Sequence, residues 1–184
     1  MSVTEQLKKD LISLAKTAIN DKLNNIHTID VEGLLTKYPN LSKIGATFVT
    51  LTIHGELRGC MGVLIPHQKL LADIIINAQK AAFEDPRFTP LTQEEFKNIE
   101  IEISILSENL EIKYENLSDL KSKINIGVDG VIIRQGEKRA TFLPQVWEQL
   151  PDFNDFLTHL FHKAGITDLD TLPDVFVYHV DTIK

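Results

Sequence analysis

Thr47-Phe48-Val49-Thr50-Leu51-Thr52-Ile53-His54-Gly55-Glu56-Leu57-Arg58-Gly59-Cys60-Met61-Gly62 is the stretch on which the fold turns, because it reads as two strands joined by a tight turn. Val49, Leu51 and Ile53 alternate with threonines, the period-two pattern of a half-buried strand. His54-Gly55-Glu56 suits a hairpin turn. The chain then returns over Leu57 to Leu64, so the block Leu57–Gly62 lies on a paired strand and not on a free loop. That block holds the chain's only cysteine between two glycines, with an arginine just before them. A strand gains nothing locally from two such glycines, whereas glycine lets backbone approach backbone or ligand closely. A tight structural corner satisfies the pattern, and so does a pocket where thiol, guanidinium and bare backbone meet.

The flanking sequence alternates strands with capped helices. Ser2-Val3-Thr4-Glu5 matches a capping box, and Leu7, Leu11, Leu14, Ala15 and Ala18 follow at helical spacing, predicting a helix over about 3–23. A connector over 24–43 carries a short helix near Val31–Tyr38, ended by Pro39. Gln68 to Phe83 reads as a helix, and two prolines in Glu84-Asp85-Pro86-Arg87-Phe88-Thr89-Pro90 break it. Thr92-Gln93-Glu94-Glu95 is a second capping box. Ile99, Ile101, Ile103 and Ile105 alternate with Glu100, Glu102 and Ser104, a strand with one dry face. Residues 110–123 read as a charged excursion with a short helix. Strands follow over Ile126–Arg134, interrupted at Asp129-Gly130, and over Arg139–Leu143. Helices then run near Val146–Leu150 and from Asp152 to Ala164, the latter ended by Gly165. A strand over Val175–Val180 closes the pattern. Hairpins mixed with capped helices predict an α+β fold on a mainly antiparallel sheet, in a single domain over 1–184.

Charge and composition exclude several functions. The 184 residues carry 19 basic and 26 acidic side chains, a net charge of −7, and 43% are hydrophobic. An acidic chain with no polybasic run argues against nucleic-acid binding. No apolar run approaches the ~18–20 residues of a membrane span. One cysteine and a polar N-terminus point to a reducing cytoplasm. Neither G-x-G-x-x-G nor G-x-x-x-x-G-K-[ST] occurs, so no cofactor is assigned. His159 and His162 share a helix face at i, i+3, which reads as a solvated flank; with no C-x-x-C or H-E-x-x-H, no metal site is assigned.

Several ordered blocks resemble the AMMECR family over about Phe48 to Val180. They are Leu57–Gly62, Ala81-Ala82-Phe83-Glu84-Asp85-Pro86-Arg87-Phe88, Ile101-Glu102-Ile103-Ser104, Phe142-Leu143-Pro144-Gln145-Val146-Trp147 and Lys163-Ala164-Gly165. The family usually has isoleucine where Met61 stands, a volume-conserving exchange. The resemblance implies an α+β fold with a larger and a smaller lobe around a cleft. It also implies a gene neighbourhood with a Memo-like protein and a radical SAM protein. With no cluster of three cysteines, this chain is not itself the radical SAM component.

Candidate chemistry centres on Cys60 and Arg58. In an extended strand the two side chains share a face, a geometry in which the guanidinium favours the thiolate and Cys60 acts as a nucleophile. The alternative is a small buried hydrophobe. His54 and His67 are nearest in sequence, and neither is placed well enough to form a dyad. Asp85-Pro86-Arg87-Phe88 is either a rigid corner with a local ion pair and Phe88 as a core plug, or a site where Arg87 holds an anionic ligand. Phe142-Leu143-Pro144-Gln145 is either a helix-entry turn or a loop that presents Gln145 to a ligand. One expected function is a catalytic or substrate-binding component using Arg58, Gly59, Cys60, Gly62, Asp85, Arg87 and Gln145, working with Memo-like and radical SAM partners on a small molecule or protein. The alternative is a non-catalytic interaction module in which the Leu57–Gly62 block is structural.

Overall fold

The alternating apolar residues of β1 (Ile44–Ile53) and β4 (Ile99–Leu106) place Val49, Leu51, Ile101 and Ile103 on one buried face. The computed structural model describes residues 4–168 and 171–184. β1 pairs antiparallel with β4 on one side and with β2 (Glu56–Gly62) on the other. His54 and Gly55 form the connecting two-residue turn, both with positive φ (54° and 82°), the twist that suits a hairpin. Helix α1 (Glu5–Asn24) buries Leu7, Leu11, Leu14, Ala15, Ala18 and Ile19, the stripe its spacing predicts. Thr4 caps it by accepting the Leu7 N–H at 3.2 Å; the capping role assigned to Ser2 lies outside the described residues. α2 (Val31–Lys37) and a 3-10 turn (Pro39–Ser42) fill the connector. A two-residue strand β3 (Gln68–Lys69) pairs with β1, and only then does α3 (Leu70–Phe83) begin.

The chain divides into two units, Met1–Leu106 with Asp181–Lys184, and Ser107–Val180. In the first, α1 and α3 contribute apolar side chains to the same core as β1 and β4. Each such Leu or Ile contributes about 1.5–3 kcal/mol on burial. α3 is also held by a buried polar cluster. The Asp73 carboxylate accepts from the Thr47 N–H (2.8 Å), the Thr47 hydroxyl (2.7 Å), Asn77 Nδ2 (2.9 Å) and Gln68 Nε2 (2.8 Å).

The second unit follows its own logic. β5 (Leu110–Ile112), β6 (Gly130–Gln135), β7 (Lys138–Phe142) and β8 (Asp174–Tyr178) form an antiparallel sheet in the order β5-β8-β6-β7. Helices α5 (Leu117–Lys123), α6 (Val146–Gln149) and α7 (Phe153–Ala164) share a core with Val131, Ile133, Val175 and Val177. Trp147 stacks on Phe156 at 3.5 Å between ring centroids and donates its Nε1–H to the Asp129 carbonyl at 2.8 Å. In the first unit, α4 (Gln93–Phe96) carries the expected capping box on Thr92 and Glu95.

Three expectations are corrected. The strand expected from Ile126 starts only at Gly130, because the Asp129 carboxylate folds back to accept from the Asn125 N–H and closes the preceding loop. The segment 110–112 is a strand rather than part of an irregular excursion; three residues are too few to show a period. The closing strand is two: β8 ends at Tyr178, and β9 (Val180–Ile183) joins the first sheet, ordered β2-β1-β4-β9. The mainly antiparallel α+β architecture expected from the sequence is realised as two antiparallel sheets, one in each unit.

Candidate functional site

β2 is an edge strand, and its glycines are explained by what presses on them. A Cβ on Gly59 would lie 2.1 Å from the Ala81 carbonyl oxygen of α3, and one on Gly62 would lie 2.4 Å from the Phe48 ring and from the Thr47 carbonyl oxygen. Both glycines serve close packing of backbone against its neighbours. The ladder slips at this point: Leu51 faces Gly59 and Thr52 faces Leu57, so Arg58 has no partner across the strand. A bulge of this kind re-aims the extra side chain.

The slip interrupts the strict alternation on which the expected shared face of Arg58 and Cys60 rests. Arg58 is 9% exposed and turns to the loop beyond α3. Its Nε donates to Glu95 Oε1 at 2.8 Å, and its Nη2 donates to Glu95 Oε2 at 3.1 Å and to the Thr89 carbonyl at 2.9 Å. The paired guanidinium, with the Thr92 N–H second, holds the Glu95 carboxyl down to about 2. Nη1 of Arg58 is buried with no hydrogen-bond partner. A shallow hollow of about 400 Å³ is lined by Ile53, His54, Glu56, Leu57 and Arg58, and Cys60 does not line it.

Cys60 is held through its backbone. Its N–H donates to Asp85 Oδ2 at 2.8 Å, and its carbonyl accepts from Arg87 Nη2 at 3.5 Å. The residue is half-buried, and its sulfur accepts from the Thr50 hydroxyl at 3.3 Å. Asp85 is 4% exposed and takes three bonds from Arg87, two from the guanidinium (2.7 and 3.0 Å) and one from the backbone N–H (3.1 Å). The Arg87 guanidinium, followed by the Cys60 N–H, keeps its carboxyl well below the usual carboxylate range. Phe88 is half-buried, with the guanidiniums of Arg58 and Arg87 lying 5.6 and 5.5 Å from its ring centroid. It thus meets two cations and belongs to neither apolar core, unlike the expected core plug.

The structure therefore brings Arg58, Gly59, Cys60, Gly62, Asp85 and Arg87 to one edge of the first sheet. Gln145 stands in the second unit, exposed, at the start of the one-turn helix α6, with no capping bond from its side chain. Sequence reasoning missed Glu95 and Thr50 as partners of the block. The capping box exposed Glu95 as a cap, and no sequence signal linked it to Arg58, 37 residues away. His159 and His162 are exposed on α7, and among the described residues no three His, Cys, Asp or Glu side chains group as metal ligands.

Fold and site together define an α+β protein of two units, each with its own antiparallel sheet and core, whose glycine-cysteine block lies on a braced sheet edge. Protein PH0010 from Pyrococcus horikoshii, an uncharacterized protein of known crystal structure, matches with a TM-score of 0.80 and 28% identity over 99% of this chain and 93% of its own. The AMMECR1 family model matches residues 12–183, and the chain belongs to that family. A protein of Methanothermobacter thermautotrophicus is 34% identical over 169 residues, covering 91% of this chain and 84% of its own. Protein NEQ441 of Nanoarchaeum equitans is 37% identical over 140 residues, 74% of this chain and 78% of its own. No described helix is long and apolar enough to cross a membrane.

Proposed function

We propose that this AMMECR1-family chain is a non-catalytic interaction module in which the Leu57–Gly62 block is structural. One observation carries this reading: the block is spent on the fold. Arg58 is engaged by Glu95 and Thr89, Gly59 is pressed on Ala81, and both backbone polar groups of Cys60 are taken by the Asp85–Arg87 corner. Side chains that satisfy an edge strand protect it from pairing with other chains and leave a rigid surface. The family resemblance supplies the partners of this reading: a Memo-like and a radical SAM protein, for which the module positions a small molecule or protein to be modified.

Co-purification of tagged chain with the Memo-like and radical SAM proteins of the same genome tests it. Cys60→Ala is expected to capture both as wild type does. Loss of capture by Cys60→Ala with an unchanged melting temperature would overturn the module reading.

A catalytic or ligand-binding role is the second reading, and two observations favour it. Nη1 of Arg58 is a buried donor with no partner, a group that calls for explanation in a native fold. Cys60 is also a half-buried residue rather than a sealed one. This reading requires Cys60 to react with iodoacetamide near neutral pH faster than a model thiol. A slower reaction removes the nucleophile.

A further inference from the structure

The hollow at the tip of the first hairpin is where polar side chains are left unspent. Ile53, His54, Glu56, Leu57 and Arg58 line its volume of about 400 Å³, all within the first unit. Arg58 is 9% exposed, and Nη1 of its guanidinium is buried with no hydrogen-bond partner. Its Nε and Nη2 are taken by Glu95 and Thr89. A buried donor without an acceptor is costly, so Nη1 points to a group that the fold does not supply. Among the described residues, neither the Glu56 carboxylate nor the His54 ring has a hydrogen bond or an ion pair. Asp85 and Glu95 near by are both paired to arginines, so Glu56 is the carboxylate left over at this edge. His54 has a φ of 54°, and asparagine or glycine would serve such a turn with less strain. The imidazole therefore does nothing for the hairpin. The half-buried Ile53 and the 44% exposed Leu57 add apolar wall.

We infer that this hollow binds a free α-amino acid with an apolar side chain. The ligand carboxylate accepts from Arg58 Nη1 and from a ring N–H of His54, its ammonium group donates to Glu56, and its side chain rests on Ile53 and Leu57. A guanidinium nitrogen suits a carboxylate. A zwitterion fits a space faced by one unspent cationic donor and one unspent carboxylate, whereas a simple anion would meet Glu56 as a like charge. The volume falls within the range of about 300–1,000 Å³ of small-molecule sites. The carboxylate reaches Nη1 by displacing the exposed Leu57 side chain, a rotamer change of the kind that binding commonly brings. Cys60 does not line the hollow, so the assignment does not depend on the reactivity of the thiol. It also goes beyond the module reading, which concerns protein partners.

Titration of the isotope-labelled full chain with L-leucine, followed by two-dimensional NMR, tests the proposal. The backbone amides of residues 53–58 should shift saturably. Glu56→Gln should weaken binding about tenfold. Its melting temperature should equal that of wild type, because the Glu56 side chain is exposed and bonds nothing. Glu137→Gln, the same change at an exposed glutamate in the turn between β6 and β7, should bind as wild type does. N-acetyl-leucine lacks the ammonium group and leucinamide lacks the carboxylate, so each should bind about tenfold more weakly than leucine. No saturable shift, shifts confined to other residues, undiminished affinity in Glu56→Gln, or equal loss in Glu137→Gln would each overturn the site. Binding of N-acetyl-leucine or of leucinamide as tight as that of leucine would overturn the assignment to an amino acid. The module reading is decided separately, by the capture of partner proteins.

Discussion

Gly59 leaves no space for a methyl group, and its neighbour is backbone, which cannot swing aside: the nearest atom to an added Cβ is the Ala81 carbonyl oxygen at 2.1 Å. Gly59→Ala must therefore push β2 away from α3 or distort the helix. The expected loss is about 2–4 kcal/mol of unfolding free energy, read from urea denaturation. Cys60→Ala should cost about 1 kcal/mol or less in the same assay, because the sulfur loses one weak bond from Thr50 and belongs to neither core cluster. If Gly59→Ala melts with wild type, the close approach of α3 to β2 is wrong. The single cysteine drew notice in the sequence for its chemistry, yet its backbone is what the fold grips.

Strand β2 would expose a row of unpaired backbone groups along the edge of the first sheet, and the loop after α3 prevents this at Cys60. Asp85 accepts from the N–H and Arg87 donates to the carbonyl, so two side chains stand in for a missing strand. Glu95 braces the same edge through Arg58 while closing the capping box of α4. Its carboxyl is lowered from 4.5 to about 2 in the folded chain. A carboxyl depressed by folding stabilises above its unfolded value, and that contribution is lost as pH falls through the folded one. Stability should thus decline between pH 4.5 and about pH 2. Glu95→Gln should be less stable at neutral pH and show a flatter decline over that interval, measured by urea midpoints across pH. An unchanged slope would mean that the Arg58 pair does not bind a proton differently in the two states.

Two cores and two sheets make the chain an insertion. It leaves the first unit after Leu106 and returns at Asp181. The ends of the inserted unit are tied together, with the Ser107 N–H donating to the His179 carbonyl at 2.9 Å and the His179 N–H to Ser107 Oγ at 2.9 Å. Neighbouring termini and a private core are the marks of a segment able to fold alone. Residues 107–180, expressed by themselves, should therefore unfold cooperatively on heating when followed by near-ultraviolet circular dichroism, with Trp147 packed on Phe156 as the reporter. A featureless spectrum with no transition would show that this unit depends on the rest of the chain.

The α+β class, the first hairpin, the capped helices and the dry face of β4 were legible in the sequence, because each rests on a local period or cap that neighbouring residues carry. Residues 179–183 were not: the run Val175–Val180 reads as one strand and conceals a change of sheet at His179, and nothing local marks which strand each half will pair with. The same limit governed the candidate site. Adjacent residues suggested a thiol beside an arginine. The register slip opposite Thr52, together with Glu95 and Asp85 arriving 37 and 25 residues away, decided that Arg58 and Cys60 serve different partners. Local sequence determines which residues prefer to be helix, strand or turn. Only the packed chain decides what each side chain meets, because those contacts join residues distant in sequence, and their energies exist only once the elements have docked.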